Sequence, residues 1–144
     1  MPHRDEEPKI EVSDRDYARL LTVRTGLRQF ERWSGEQAAA HGLTPSQHQL
    51  LLAVRGDETP GGPTIGQVAE YLLIRHHSAV ELADRTEKAG LIARVRDAND
   101  RRAVRLQLSP RGERILAELT GAHLEELARM RPLFATMIGA LNAR

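Results

Sequence analysis

Apolar side chains recur at steps of three and four from Tyr17 through Leu20, Val23, Leu27 and Phe30 to Trp33, the period of one helix face. Asp14 is placed to cap this helix and Gly42 to follow its end, so the spacing predicts a helix over about 14–41. At 1.5 Å per residue such a helix approaches ~40 Å. A small domain cannot cover both sides of it, so a partner chain is expected. Leu43-Thr44-Pro45-Ser46-Gln47 opens a second helix, with Thr44 as N-cap, Pro45 at its first position and Gln47 completing a capping box. Leu50, Leu51 and Val54 form its apolar face, and it ends near Gly56. The stretch 57–63, with Pro60-Gly61-Gly62-Pro63, reads as a loop. Residues 1–13, polar and holding Pro2 and Pro8, read as a mobile tail.

Thr64 caps a short helix with Ile65, Val68, Ala69 and Leu72 on one face. After Leu73-Ile74-Arg75 a further helix runs from about His76 to Ala89, closed by Gly90. Two short helices on so tight a link are the layout of a helix-turn-helix, although this turn lacks the glycine often found there. The period then changes from 3.6 to 2. Leu91–Arg96 and Ala103–Leu108 alternate as strands around Asp97-Ala98-Asn99-Asp100, turn chemistry at the tip of a basic hairpin. Ser109-Pro110 starts a helix over about 110–129, and Pro132 breaks the chain before a last apolar helix carrying Leu133, Phe134, Met137, Ile138 and Leu141. Helix, helix, hairpin in this order is a winged helix-turn-helix. The expectation is a mainly α fold with a small β-hairpin wing. One domain spans 14–144, with helices 14–42 and 110–144 for dimerisation and a winged-helix lobe over 43–109.

Composition narrows the chemistry. The 144 residues are 40% apolar, 28% charged and only 3% aromatic, which fits a soluble globular chain with an aliphatic core. The absence of cysteine excludes disulfides, thiolate zinc sites, cysteine nucleophiles and thiol redox switching. The longest apolar run, Leu50 to Val54, is too short to span a bilayer, and the charged start has no signal-peptide core, so a cytoplasmic protein with no membrane partner is expected. The net charge of +1 hides an uneven distribution. Residues 1–16 carry a net −3, whereas 91–114 carry Arg94, Arg96, Arg101, Arg102, Arg105, Arg111 and Arg114 against Asp97, Asp100 and Glu113, a net +4. A basic stripe on a near-neutral chain suits phosphate contact, but it also suits a solvated charged face, and charge alone does not choose between them.

The run Glu87-Lys88-Ala89-Gly90-Leu91-Ile92, followed by Arg94, Asp97, Asp100-Arg101-Arg102, Val104, Leu106, Leu108-Ser109 and Gly112, resembles the MarR family of bacterial transcription regulators. Gly42-Leu43-Thr44-Pro45 with Gln47 is similar to the opening of that family's second helix, and the resemblance covers roughly 15–143. Thr86 departs from it, standing where the family usually has a core leucine, and the 57–63 loop is long. The resemblance implies a homodimer that binds palindromic operator DNA and is often relieved by a small ligand, aromatic or anionic in kind.

The helix from His76 is then the candidate for the major groove, where its first turns meet base edges. Arg75, His76, His77, Ser78 and Glu81 lie at or near its start, and Arg85 follows one turn later. Adjacent histidines diverge by about 100° on a helix and so do not suit a metal. Arg101 or Arg102 at the wing tip is the candidate for the minor groove, with Asp100 expected to hold the guanidinium. Arg94, Arg96 and Arg105 are expected on phosphates. Arg28, Trp33 and His48, combining an aromatic body with polar tips, are candidates to line an effector pocket, although each taken singly reads as core or surface. No catalytic constellation, cofactor motif or metal-ligand spacing appears, so an enzyme is not expected. The reading from another class is a winged-helix protein–protein module without DNA function.

Overall fold

In the computed structural model, which describes residues 10–142, the elements run α1 (Asp14–Ala40), α2 (Pro45–Gly56), α3 (Ile65–Leu72), α4 (His76–Lys88), β1 (Ile92–Arg96), β2 (Val104–Leu108), α5 (Pro110–Arg129) and α6 (Arg131–Asn142). The tail expected over 1–13 lies outside the described residues up to position 9. Ser13 belongs to α1 instead: its hydroxyl accepts from the Asp16 amide at 3.3 Å, and the Asp16 carboxylate accepts from the Ser13 amide at 3.0 Å. The cap is therefore Ser13, one residue before the expected Asp14. A hydroxyl at this position can enter a reciprocal pair with the third helical residue. Thr44 with Gln47 and Thr64 with Gln67 build the same box at α2 and α3.

Helix α2 is the hub. Leu50 and Leu51 are fully buried, Ala53 and Val54 nearly so, and they join Val68 of α3, Leu82 and Ala83 of α4, Ile92 of β1, Leu106 of β2, and Leu116 and Leu119 of α5 in one aliphatic cluster. Burying each leucine contributes about 1.5–3 kcal/mol. Strands β1 and β2 pair antiparallel with Ile92 opposite Leu108 and Arg96 opposite Val104. Thr64 forms a single antiparallel bridge to Arg105, and the Leu106 amide donates to the Pro63 carbonyl at 2.8 Å. The wing is thereby attached to the loop before α3.

Helices α1, α5 and α6 form a stem. Gly26 of α1 lies directly under Leu133 of α6, close enough that a Cβ there would collide with its methyl groups. Tyr17, Leu20 and Leu21 of α1, Leu124 of α5, and Ile138 and Leu141 of α6 remain more than half exposed. A cavity of about 500 Å³ between the start of α1 and α6 is lined by Val12, Tyr17, Leu20, Val23, Met137 and Leu141. The stem leaves an apolar surface without cover.

The helix-turn-helix closes without glycine by a strained residue. Leu73 sits at φ 55° and ψ 42°, in the left-handed region, and is 92% exposed. Its conformation lets the Ile74 amide donate to the Ala69 carbonyl at 3.1 Å, ending α3 as a glycine usually does. An exposed leucine brings no packing to offset that strain. Leu73→Gly should therefore raise stability by about 0.5–1 kcal/mol, read as a higher urea midpoint with an unchanged helical circular-dichroism spectrum.

Candidate nucleic-acid interface

Helix α4 presents two faces. Ala79, Leu82, Ala83 and Thr86 point into the core, at steps of three and four. Thr86 is fully buried, and its hydroxyl donates to the Leu82 carbonyl at 2.7 Å, so the polar residue in a leucine's place is satisfied within the helix. His77, Glu81, Arg85 and Lys88, each one turn from the next, make an exposed outer stripe. His76 and Arg75 are exposed at the helix start and Ser78 is half-buried. No side chain caps α4. Its first amides are therefore open to an acceptor, and the positive end of the helix dipole faces the same way.

The wing is organised by a residue that the sequence reading did not single out. Asp97 Oδ1 accepts from the Asn99 and Asp100 amides at 2.8 and 3.0 Å, folding the tip, and Oδ2 accepts from Arg105 Nε at 2.5 Å. Arg105 Nη1 in turn donates to the Gly62 carbonyl at 3.0 Å, and Gln107 Nε2 to the Gly61 carbonyl at 3.0 Å. A Cβ on Gly62 would lie 2.1 Å from the Leu106 carbonyl oxygen, so only glycine lets the loop approach β2 this closely. These bonds hold the Asp97 carboxyl at about 2, with the Arg105 hydrogen bond the largest cause and the Asn99 and Asp100 amides next. The signal was present in the sequence as an aspartate followed two residues later by Asn99, the turn chemistry of a side chain bonding its own backbone.

Three sequence-based assignments meet a different geometry here. Arg94 lies against α4, where Nη2 meets Asp84 Oδ1 at 2.6 Å and Nη1 meets Glu87 Oε1 at 2.9 Å. Arg105 is only 20% exposed at its side chain. Both were expected on phosphates, but each is engaged within the lobe, because a partly buried guanidinium is held by the carboxylates nearest to it. Nor does Asp100 hold an arginine head group: its Oδ1 accepts from the Arg102 backbone amide at 3.0 Å. Arg101 and Arg102 are exposed at the tip, as is Arg96 at the end of β1. Among the described residues, the side chains of these three, and of Arg75 and Arg85, have no hydrogen-bond or ion-pair partner.

Of the effector candidates, Trp33 and His48 come together and Arg28 does not. Trp33 and His48 both pack on His123 of α5, at ring-centroid distances of 4.9 and 4.8 Å, which fills the space between them. Arg28 is exposed, without a partner among the described residues. Those residues hold no group of histidines and carboxylates able to take a metal ion, and no helix among them is long and apolar enough to cross a membrane.

A two-helix motif followed by a hairpin that the preceding loop buttresses defines a winged helix-turn-helix protein. Residues 41–103 match the MarR family model. An uncharacterized HTH-type transcriptional regulator, YsmB of Bacillus subtilis, is 39% identical over 70 residues, 49% of this chain and 48% of that protein. The transcriptional activatory protein BadR of Rhodopseudomonas palustris is 28% identical over 114 residues, 76% of this chain and 61% of that protein. The chain thus spans about half to three fifths of the length of these relatives. A mutant MarR of E. coli, solved in complex with operator DNA, shares the fold at a TM-score of 0.66 and 17% identity, over 93% of this chain and 98% of that one. Over residues 41–103 the chain is similar to the MarR family.

The Asp97 network carries a pH signature. The folded carboxyl lies near 2 against an ordinary 3.8. Its contribution is therefore complete above 3.8 and is lost as pH falls through the folded value. Asp97→Ala should lower the urea midpoint at pH 7 and speed amide exchange at Asn99 and Asp100. The gap from the unsubstituted protein should narrow as pH falls below 4.

Proposed function

We propose that the protein is a sequence-specific DNA-binding transcription regulator that acts in the cytoplasm as a homodimer on a palindromic operator, most simply as a repressor. The observation that carries this reading is the separation of its charges. Arg94 and Arg105 are engaged internally, while Arg75, Arg85, Arg96, Arg101 and Arg102 are left free at the exposed face of α4 and the wing. The α4 stripe of His77, Glu81 and Arg85 fits the major groove, with Glu81 accepting from a cytosine amino group. The uncapped α4 start, with His76 and Ser78, fits a phosphate. Arg102 enters the minor groove, Arg101 and Arg96 meet phosphates, and Asp97, Asp100, Arg94 and Arg105 position them.

The uncovered apolar stem supports the dimer. A twofold pair of stems sets two copies of α4 about 34 Å apart, one turn of duplex. Sedimentation should give twice the chain mass of 16.1 kDa, and a folded monomer that binds DNA tightly would overturn the dimer. A small aromatic or anionic effector acts beside the cluster of Trp33 on the stem and His48 on the lobe, displacing part of their packing on His123. Phenolic carboxylates should then quench Trp33, the only tryptophan, and release DNA over one concentration range.

Arg102→Ala should weaken operator binding by about 1–3 kcal/mol with no change in melting, and Asp100→Ala by less. Retention curves on random duplex at rising salt test the class of function. Several phosphate contacts give a steep log–log slope, whereas a protein–protein module gives none.

A further inference from the structure

His48 of α2 is 4% exposed, and its Nδ1 is buried without a hydrogen-bond partner. Its ring stands 4.8 Å from that of His123, and the two rings join α2, in the winged-helix lobe, to α5 of the stem. His123 is itself held in place. Nδ1 lies 2.6 Å from the Leu119 carbonyl and so carries a proton, and Nε2 lies 2.6 Å from Ser34 Oγ of α1. Trp33 and Phe30 of α1 cover its remaining sides at 4.9 and 5.8 Å. A third histidine, His41 at the end of α1, bonds the Gln37 carbonyl at 2.9 Å and Glu118 of α5 at 3.1 Å. Two imidazoles thus meet where lobe and stem meet, and the one on the lobe, His48, has a buried nitrogen without a partner.

We propose that His48 and His123 form a proton-operated latch, which holds the lobe on the stem while both rings are neutral and loosens it, releasing DNA, when acid charges both. Two imidazolium rings at this separation repel each other where little water screens them. The buried Nδ1 of His48, once protonated, also needs an acceptor that the core does not offer. Burial is the largest influence holding His48 below the ordinary histidine value, followed by the charges of His123 and His41. Among the described residues, those are the charged groups that bear on His48 from α1 and α5. Glu118 is taken up by His41, and on α2 itself Arg55 is paired with Glu113. A histidine whose folded value is depressed costs nothing above its unfolded value of 6.5 and destabilises the folded form as pH falls below it. The latch is therefore closed at neutral pH and strained in mild acid.

The cause rests on the cluster alone and the consequence on the DNA-binding reading, so the test has two arms. In the first, side-chain NMR follows His48 and His123, fluorescence follows Trp33, and hydrogen exchange follows the α2 amides from pH 8 to 5. His48 should titrate below the ordinary value, with Trp33 emission and α2 exchange changing over the same range. A normal His48 titration, or α2 amides equally protected throughout, sinks the latch.

In the second arm, a duplex selected by the protein from a random-sequence pool at pH 7.5 is titrated at pH 7.5 and 5.5 at fixed ionic strength. Affinity should fall about tenfold in acid, within the usual range of coupling between sites. His48→Gln, which cannot take the second charge, should lose the acid effect. If that variant does not fold, His123→Phe keeps the ring packing on Trp33 and should lose the effect equally. Acid release that survives in a folded variant overturns the proposal. Failure to select any duplex at pH 7.5 overturns the DNA-binding reading, and the first arm still decides the latch.

Discussion

The burial of one helix face holds the two halves of this molecule together. Leu50 and Leu51 are adjacent on α2, and full burial of both requires neighbours over a wide arc of the helix. Helices α3 and α4 and the wing supply one side of that arc, and α1 and α5 supply the other. The lobe that carries the exposed cations and the stem that carries the uncovered apolar surface therefore share a single core. Displacing α2 relative to α5 disturbs the same leucines that orient α4, so the position of α4 depends on how the stem is packed.

A second constraint acts within the lobe. A two-stranded hairpin is marginal in water and gains its shape from what it packs against. Here β1 is tied to α4 by Arg94, and β2 is tied to the loop before α3 by Arg105, Gln107 and the close approach of Gly62. Exposed ion pairs are usually worth little, but Arg94 and Arg105 are each mostly covered and each makes more than one hydrogen bond. What they set is geometry more than stability. The tip arginines can then occupy a defined position relative to α4 without partners of their own, and a free guanidinium on a fixed support loses less freedom when it meets a phosphate than one on a mobile hairpin.

The order of elements and the limits of nearly every helix were legible because caps and period agree: Thr44 with Gln47 at α2, Thr64 at α3, Ser109-Pro110 at α5, and the change from 3.6 to 2 after Gly90. The candidate readout residues of α4 were legible for the same reason, since a known helix start fixes which positions face outward. The division of the arginines was not. Whether a guanidinium serves its own fold or is left free depends on which carboxylates come within about 3 Å. For Arg94 these are Asp84 and Glu87, ten and seven residues away in sequence, and for Arg105 the partners are Asp97 and the Gly62 carbonyl. Such pairings follow from tertiary packing and leave no period in the chain. His123 escaped for a similar reason. Alone on α5 it reads as a surface histidine, and its significance comes from Trp33, Ser34 and His48, which are distant in sequence.

An imidazole at the position of His48 is an expensive choice for packing alone. Leaving a buried polar atom without a partner costs about 1–3 kcal/mol, and a phenylalanine or leucine would fill a comparable volume without that cost. The hub can bear it, because the leucines beside it and the helices around it bury far more apolar surface than one unmet hydrogen bond offsets. The cost also falls at a particular place. The core under the wing, with Leu106, Leu82 and Ile92 and the one hydroxyl of Thr86, holds no group that takes up a proton. The joint between lobe and stem is built from rings that can take charge. A molecule arranged in this way keeps an apolar core beneath the exposed face of α4 and the wing, and places its unpartnered buried nitrogen at the joint between lobe and stem.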